Sequence, residues 1–171
     1  MNYDLIKNNV LSSFKDYHDL GFIEDIIKRN YNFVKNEYLK EDNLSEDIFC
    51  AMRLKNIVYY ELLHSNRTED QVYMKKVCDR FTNIAYFIKL RKNEEVAYFK
   101  EGYEVYDICK SKYDNKHSFS TFVATVANGY YNGFDKVVDE QERKEYLKME
   151  KDYLETLKNM HKIEKKLKFK F

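Results

Sequence analysis

The chain contains no proline and only four glycines, at positions 21, 102, 129 and 133 of 171 residues. Proline breaks helix interiors because it lacks a backbone N–H donor, and glycine is the residue that most often ends a helix. A chain with so few of either predicts long uninterrupted helices joined by short polar turns. We therefore predict an all-α fold, a single irregular bundle of six to seven helices with a long C-terminal helix, in one domain over residues 1–171.

Apolar residues recur at helical spacing near the start of the chain. The first stripe consists of Tyr3, Ile6, Val10, Phe14 and Tyr17. The second consists of Ile23, Ile26, Ile27, Val34 and Tyr38. Steps of three and four residues place such side chains on one face of a helix. Gly21 stands between the stripes, and we predict that it caps the C-terminus of the first helix.

Polar residues mark the starts of two further helices. Ser45 is followed by acidic residues, as is typical of an N-cap and a first helical turn. Thr68 stands three residues before Gln71, which is the spacing of a capping box. The first of these helices is predicted to run through the apolar positions Ile48, Met52, Tyr59 and Leu63. The apolar stripe of the second consists of Val77, Phe81, Ile84 and Ile88.

The rest of the chain continues the helical pattern. A fifth helix is predicted from about Glu94 to Ser111, followed by a loop over 113–118. Residues 118–133 contain no charged residue, so they suit either a buried strand or a buried helix; we favour a helix because no other segment offers a strand partner. Apolar residues near heptad spacing predict a final helix over 137–167.

Charge and cysteine content limit the function classes. The 30 basic residues nearly balance the 29 acidic ones, so any electrostatic partner must be met by a local patch. Cys50, Cys78 and Cys109 are an odd number of widely spaced cysteines, which indicates a cytoplasmic protein without a disulfide framework. No apolar run approaches the roughly 18 residues of a membrane span. We expect no membrane association.

Signatures of catalysis and cofactor binding are lacking. Glu61 and His64 show the three-residue spacing of half a carboxylate-bridged di-iron site, but the nearest echo, Asp114 with His117, lies in the predicted loop. The cysteines and histidines never reach the spacing of zinc ligands. We therefore predict no catalytic residue, no metal and no cofactor, and expect that the protein is not an enzyme.

Two segments are candidate contact surfaces. The turn at 130–134 brings Tyr130, Tyr131 and Phe134 together around glycines; such aromatic residues anchor a protein partner, stack on single-stranded nucleic acid or plug the end of the core. The last residues are basic, and from Lys166 to Phe171 lysines alternate with apolar residues. The candidate contact residues there are Lys162, Lys165, Lys166, Lys168, Phe169, Lys170 and Phe171. The tail fits three interpretations: lysines that complement a helix dipole, a strand added to a partner's sheet, or a phosphate-binding patch assisted by Lys89, Arg91 and Lys92.

The sequence favours a non-enzymatic interaction protein. We expect a small helical module that binds a protein partner or forms a homodimer through its C-terminal helix. Abundant Lys, Asn, Tyr and Ile reflect AT-rich coding and are compatible with an accessory or counter-defence inhibitor of a phage or mobile element. The alternative is a nucleic-acid-binding accessory subunit that contacts RNA or single-stranded DNA through Lys and Tyr residues.

Overall fold

The computed structural model describes residues 3–39, 45–91 and 102–127, with side chains described outside 86–91 and 102–104. Within these residues the chain forms six α-helices and no strands. The helices are α1 (Tyr3–Ser12), α2 (Leu20–Glu37), α3 (Glu46–Leu63), α4 (Thr68–Arg91), α5 (Gly102–Lys112) and α6 (Phe119–Ala127). The all-α prediction is confirmed for this part of the chain, and the long C-terminal helix predicted over 137–167 lies outside it.

Two compact units make up the described chain. The first contains the described residues up to Met74 together with Tyr113–Phe119, and the second contains those of Lys75–Lys112 and those from Ser120 on. The boundary between the units falls inside α4. A single domain over residues 1–171 stays a prediction.

In the first unit, α1, α2 and α3 pack against one another. Helices α2 and α3 run antiparallel, because Arg29 on α2 pairs with Glu61 on α3 at 3.2 Å and Glu37 pairs with Arg53 at 2.9 Å. The core of these helices is largely aliphatic, and its fully or almost fully buried members include Ile6, Val10, Ile23, Ile26, Ile27, Val34, Leu54, Val58, Leu62 and Leu63. The apolar stripes predicted for the first two helices are thus confirmed at their aliphatic positions.

The connection between α1 and α2 differs from the prediction. Helix α1 ends at Ser12, yet the next two members of its stripe, Phe14 and Tyr17, are still buried in the turn that follows. Gly21 was predicted to cap the first helix, and this is wrong: it is the second residue of α2. Asp19 is the N-cap of α2, since its carboxylate accepts a backbone N–H of the first turn at 3.1 Å.

Two helix starts were predicted from their caps. Ser45 is the N-cap of α3, as predicted, and its hydroxyl accepts the backbone N–H of Ile48 at 3.3 Å. The start of α4 is confirmed, but Thr68 is already its first helical residue. The backbone N–H of Gln71 donates to the carbonyl of Arg67 at 3.2 Å, which places Arg67 rather than Thr68 at the cap.

The second unit contains α4 from Lys75 onward, α5, and all of α6 except its first residue, Phe119. Three members of the predicted apolar stripe of α4, Val77, Phe81 and Ile84, are buried, whereas the side chain of Ile88 lies outside the described residues. Tyr106 of α5 is buried, and the Lys75 ammonium lies 5.5 Å from the centre of its ring. The predicted fifth helix is confirmed near its C-terminus, and its predicted start lies outside the described residues.

Residues 119–127, which the sequence left between helix and strand, form α6. Nearly all of its side chains are buried, including Phe122, Val123 and Val126. A helix that is covered on all sides needs no amphipathic period, which explains the ambiguous pattern. The other residues of the ambiguous segment after α6 lie outside the described part of the chain. None of the described helices has the length and apolar character that crossing a bilayer requires.

The loop between α5 and α6 belongs to the first unit, where it is bound by Arg53 of α3. Its guanidinium holds Glu37 and also donates to the backbone carbonyl of Asn115 at 2.5 Å. Within the loop, the Tyr113 hydroxyl donates to the carbonyl of His117 at 2.7 Å. Asn115 has a φ of 61°, in the left-handed region that asparagine tolerates better than most residues.

We expect Asn115→Val to lower the free energy of unfolding by about 1–2 kcal/mol, because a β-branched residue is strained at positive φ. Asn115→Gly is the matched control, since glycine adopts this conformation freely and both variants keep the carbonyl that Arg53 binds. Chemical denaturation of the two variants measures the difference. Equal stability of Asn115→Val and Asn115→Gly would contradict the backbone origin of the effect.

Candidate functional site

Most residues predicted as contact sites lie outside the described chain. These are Tyr130, Tyr131, Phe134, Lys92 and the tail residues Lys162, Lys165, Lys166, Lys168, Phe169, Lys170 and Phe171. Lys89 and Arg91 belong to α4, but their side chains are outside the described set. Their roles stay predictions, and the described residues direct attention to other places on the molecule.

A buried carboxylate is the most concentrated polar feature of the first unit. Asp70, in the first turn of α4, has no exposed surface. It accepts hydrogen bonds from the Tyr17 hydroxyl at 2.5 Å, from the Ser65 hydroxyl at 2.5 Å and from Nε of Arg67 at 2.9 Å. Nη2 of Arg67 also donates to the Tyr17 hydroxyl at 2.8 Å. These four side chains form a closed network, which we call the Asp70 network.

Aromatic rings pack against two members of the Asp70 network, Arg67 and Tyr17. The guanidinium of Arg67 lies 4.3 Å from the centre of the Phe22 ring, a cation–π distance. The rings of Tyr17 and Tyr73 meet edge to face with their centres 5.1 Å apart. The Tyr73 hydroxyl donates to Asp16 at 3.0 Å. The α1–α2 connection is thereby joined to the first turns of α4.

The electrostatics of the Asp70 network keep each group in its ordinary charge state. Burial raises the pKa of Asp70, but the hydrogen bonds from Ser65, Tyr17 and Arg67 outweigh it, so the pKa of this carboxyl lies below its usual value. Burial, with the hydrogen bond and charge of Asp70, raises the pKa of Tyr17 well above its usual value. The hydrogen bond with Asp70 likewise raises the pKa of Arg67.

These shifts give the Asp70 network a structural role. A general acid or base works best when its pKa lies near the working pH, and burial and bonding move the pKa values of Asp70 and Tyr17 away from neutrality. An ionised, hydrogen-bonded Asp70 instead ties together segments that are 53 residues apart in sequence. Asp70 belongs to no sequence motif, and its one signal in the sequence is its place four residues before the buried Met74, on the apolar face of α4.

We expect Asp70→Asn to lower the free energy of unfolding by about 2–4 kcal/mol at neutral pH, because it removes the charge from a buried, fully bonded site. The folded-state pKa of Asp70 is depressed, so its contribution is present above the unfolded value of about 3.9 and is lost as the pH falls through the folded value. The stability gap between wild type and Asp70→Asn should therefore narrow from about pH 5 downwards.

Urea denaturation at a series of pH values measures this gap. Glu69→Gln is the matched control: Glu69 neighbours Asp70 but its side chain is 70% exposed, so its loss should change stability by less than about 0.5 kcal/mol. A gap of equal size for both variants, or one that widens in acid, would contradict the assignment.

Glu61 and His64, which have the spacing of half a di-iron site, each make other contacts. The Glu61 carboxylate pairs with Arg29 at 3.2 Å, and Nδ1 of His64 lies 2.9 Å from the carbonyl of Tyr60 in its own helix. Asp114 accepts the backbone N–H of a loop residue two positions on, at 3.0 Å. Within the described ranges, no three His, Cys, Asp or Glu side chains are grouped so that they could hold a metal.

All three cysteines are buried and carry free thiols. Burial raises the pKa of Cys50, and the charges of Glu46 and Asp47 raise it further. Burial and a hydrogen bond with Cys78 raise the pKa of Cys109 well above its usual value. Because the thiolate is the reactive form, Cys50 and Cys109 are held in their unreactive state and fill the interior as small apolar groups.

The exposed part of α3 is a better candidate for recognition. Ile48 and Met52 lie in a helix, as predicted, but these two apolar side chains are 49% and 39% exposed. The second half of the same stripe is covered, since the Tyr59 ring packs against Phe14 and Phe119 with centres 4.7 Å away in each case. The residues that pack on this stripe cover only its C-terminal half. Ile48 and Met52, at the start of α3, stay exposed, and we call them the open stripe of α3.

A second exposed apolar side chain lies on α2, the helix that packs antiparallel to α3. Phe33 on α2 is 60% exposed. It stands four residues from both Arg29 and Glu37, whose ion pairs with Glu61 and Arg53 tie α2 to α3. Residues four apart share a helix face, so Phe33 lies between the two ion pairs. We call this arrangement the Phe33 seam.

Comparisons of the chain with protein-family models, with curated proteins and with solved structures found no match. Function is therefore inferred from the residues of this chain. Among the described residues, the open stripe of α3 and the Phe33 seam are surfaces suited to recognition, whereas the Asp70 network and the buried thiols serve the fold.

Proposed function

We propose that the protein is a non-enzymatic helical module that binds another protein through the open stripe of α3. The observation that supports this is the exposure of Ile48 and Met52, large apolar side chains one helical turn apart. Exposed apolar groups on a folded surface are the ordinary anchors of a protein interface, because their burial in a complex removes them from water.

Lys55 indicates the chemistry of the partner. It follows Met52 by three residues and therefore continues the same stripe as Ile48 and Met52. Burial lowers the pKa of Lys55, and within the described part of the chain no carboxylate pairs with it. A carboxylate supplied by a partner would favour the charged ammonium. The proposed partner segment therefore presents apolar side chains to Ile48 and Met52 and an Asp or Glu to Lys55.

We expect the double variant Ile48→Asp/Met52→Asp to reduce capture of the partner from a host lysate at least about tenfold, because it places charges where apolar surface should be buried. Lys55→Glu should reduce capture of the same protein as well, since it would repel the partner's carboxylate. Affinity capture followed by quantitative mass spectrometry measures both effects.

Val72→Asp is the matched control, because it also places a charge at an exposed apolar site but on another helix. Its captured proteins should equal those of the wild type. A capture profile that is unchanged in Ile48→Asp/Met52→Asp would overturn the proposal. Tight, salt-sensitive binding of labelled single-stranded RNA by the purified protein would instead favour the nucleic-acid alternative.

A further inference from the structure

The Phe33 seam carries charges of alternating sign around an exposed aromatic ring. On α2, Arg29 stands four residues before Phe33 and Glu37 four residues after it. These two charged residues are thus about 12 Å apart along the helix, with the ring midway. The side chain of Arg29 is 60% exposed and that of Glu37 is 32% exposed, so both retain surface beyond their partners on α3.

This order of charges is complementary to itself. Consider a two-fold axis that passes through Phe33, lies in the plane of the contact and is perpendicular to α2. Rotation about this axis would place a second copy of α2 face to face with the first and antiparallel to it. Each residue of the first helix would then face a position equally far from Phe33 in the opposite direction, so Arg29 of each copy would face Glu37 of the other. The two Phe33 rings would meet at the axis.

The α3 side of the seam follows the same rule. Glu61 lies beside Arg29, and Arg53 lies beside Glu37. The same rotation therefore brings Glu61 of each copy to the side of Arg53 of the other. Arg53 is the least exposed of the four, at 17%, because it is also bonded to the loop at Asn115. Arg29 and Glu37 are therefore the main electrostatic contacts across the axis.

From this pattern we infer that the protein forms a two-fold dimer in which α2 packs antiparallel on α2 of a second copy, centred on Phe33. This surface is distinct from the open stripe of α3, so the dimer does not depend on the proposed function. The contact is short, because Arg67 already covers the Phe22 ring on the N-terminal part of α2. A short contact of this kind predicts a weak dimer with a micromolar dissociation constant.

Sedimentation equilibrium of the purified full-length protein over about 1–500 µM tests the inference. We expect a reversible monomer–dimer equilibrium in the wild type. Phe33→Asp should raise the dimer dissociation constant at least about tenfold, because it places two like charges at the axis. Val72→Asp is the matched control: Val72 is 46% exposed on α4, and its variant should dimerise as the wild type does.

A charge exchange tests the orientation of the helices. Arg29→Glu/Glu61→Arg keeps the ion pair within each copy, but it places the introduced glutamate at position 29 opposite Glu37 of the second copy. Dimerisation should weaken at least about tenfold. If α2 lay instead on α3 of the second copy, opposite charges would still meet, and the double variant would dimerise normally.

Three results would overturn the inference. These are a monomeric wild type over the whole concentration range, normal dimerisation of Phe33→Asp, and normal dimerisation of Arg29→Glu/Glu61→Arg. Phe33 is exposed, so its variant should fold as the wild type does, which circular dichroism and thermal unfolding verify. Ile48→Asp/Met52→Asp should dimerise normally even though it loses the proposed partner, so failure of one proposal can be told from failure of the other.

Discussion

A single buried carboxylate determines how the first unit is connected. Removing an ionised Asp from water costs several kcal/mol unless hydrogen bonds replace the water, and Asp70 has no exposed surface. Its donors come from two connections: Tyr17 lies between α1 and α2, and Ser65 and Arg67 lie between α3 and α4. Each connection must hold its donors in place for Asp70 to remain charged, so this one interaction fixes both the α1–α2 and the α3–α4 connection.

The covering of α3 follows from the same arrangement. Phe14 of the α1–α2 connection and Phe119 at the start of α6 both pack against the ring of Tyr59. Both contacts lie in the second half of α3. Its first half has α2 on one side and an open stripe at Ile48 and Met52 on another. The proposed recognition surface is thus a consequence of where the connections end.

The ion pairs of the Phe33 seam matter more for the order of charges on the surface than for the stability of the fold. Exposed salt bridges contribute little to folding because water screens them and long side chains lose entropy. Their geometry nevertheless fixes the order of signs along the surface, and complementary charge order mainly controls which partner and which orientation bind. Arg53 is the exception, because it is mostly buried and also holds the loop at Asn115.

The sequence alone determined the all-α class of the described chain, the start of α3 at Ser45 and the buried stripe of α2. These follow from short-range rules of capping and periodicity. Tertiary structure decided that Asp70 meets Tyr17, that Ile48 and Met52 stay open while Tyr59 is covered, and that Phe33 lies between two ion pairs. Periodicity shows which residues share a face, but only the packing of distant segments determines whether that face is covered, because a helix repeats the same pattern whether or not a partner lies against it.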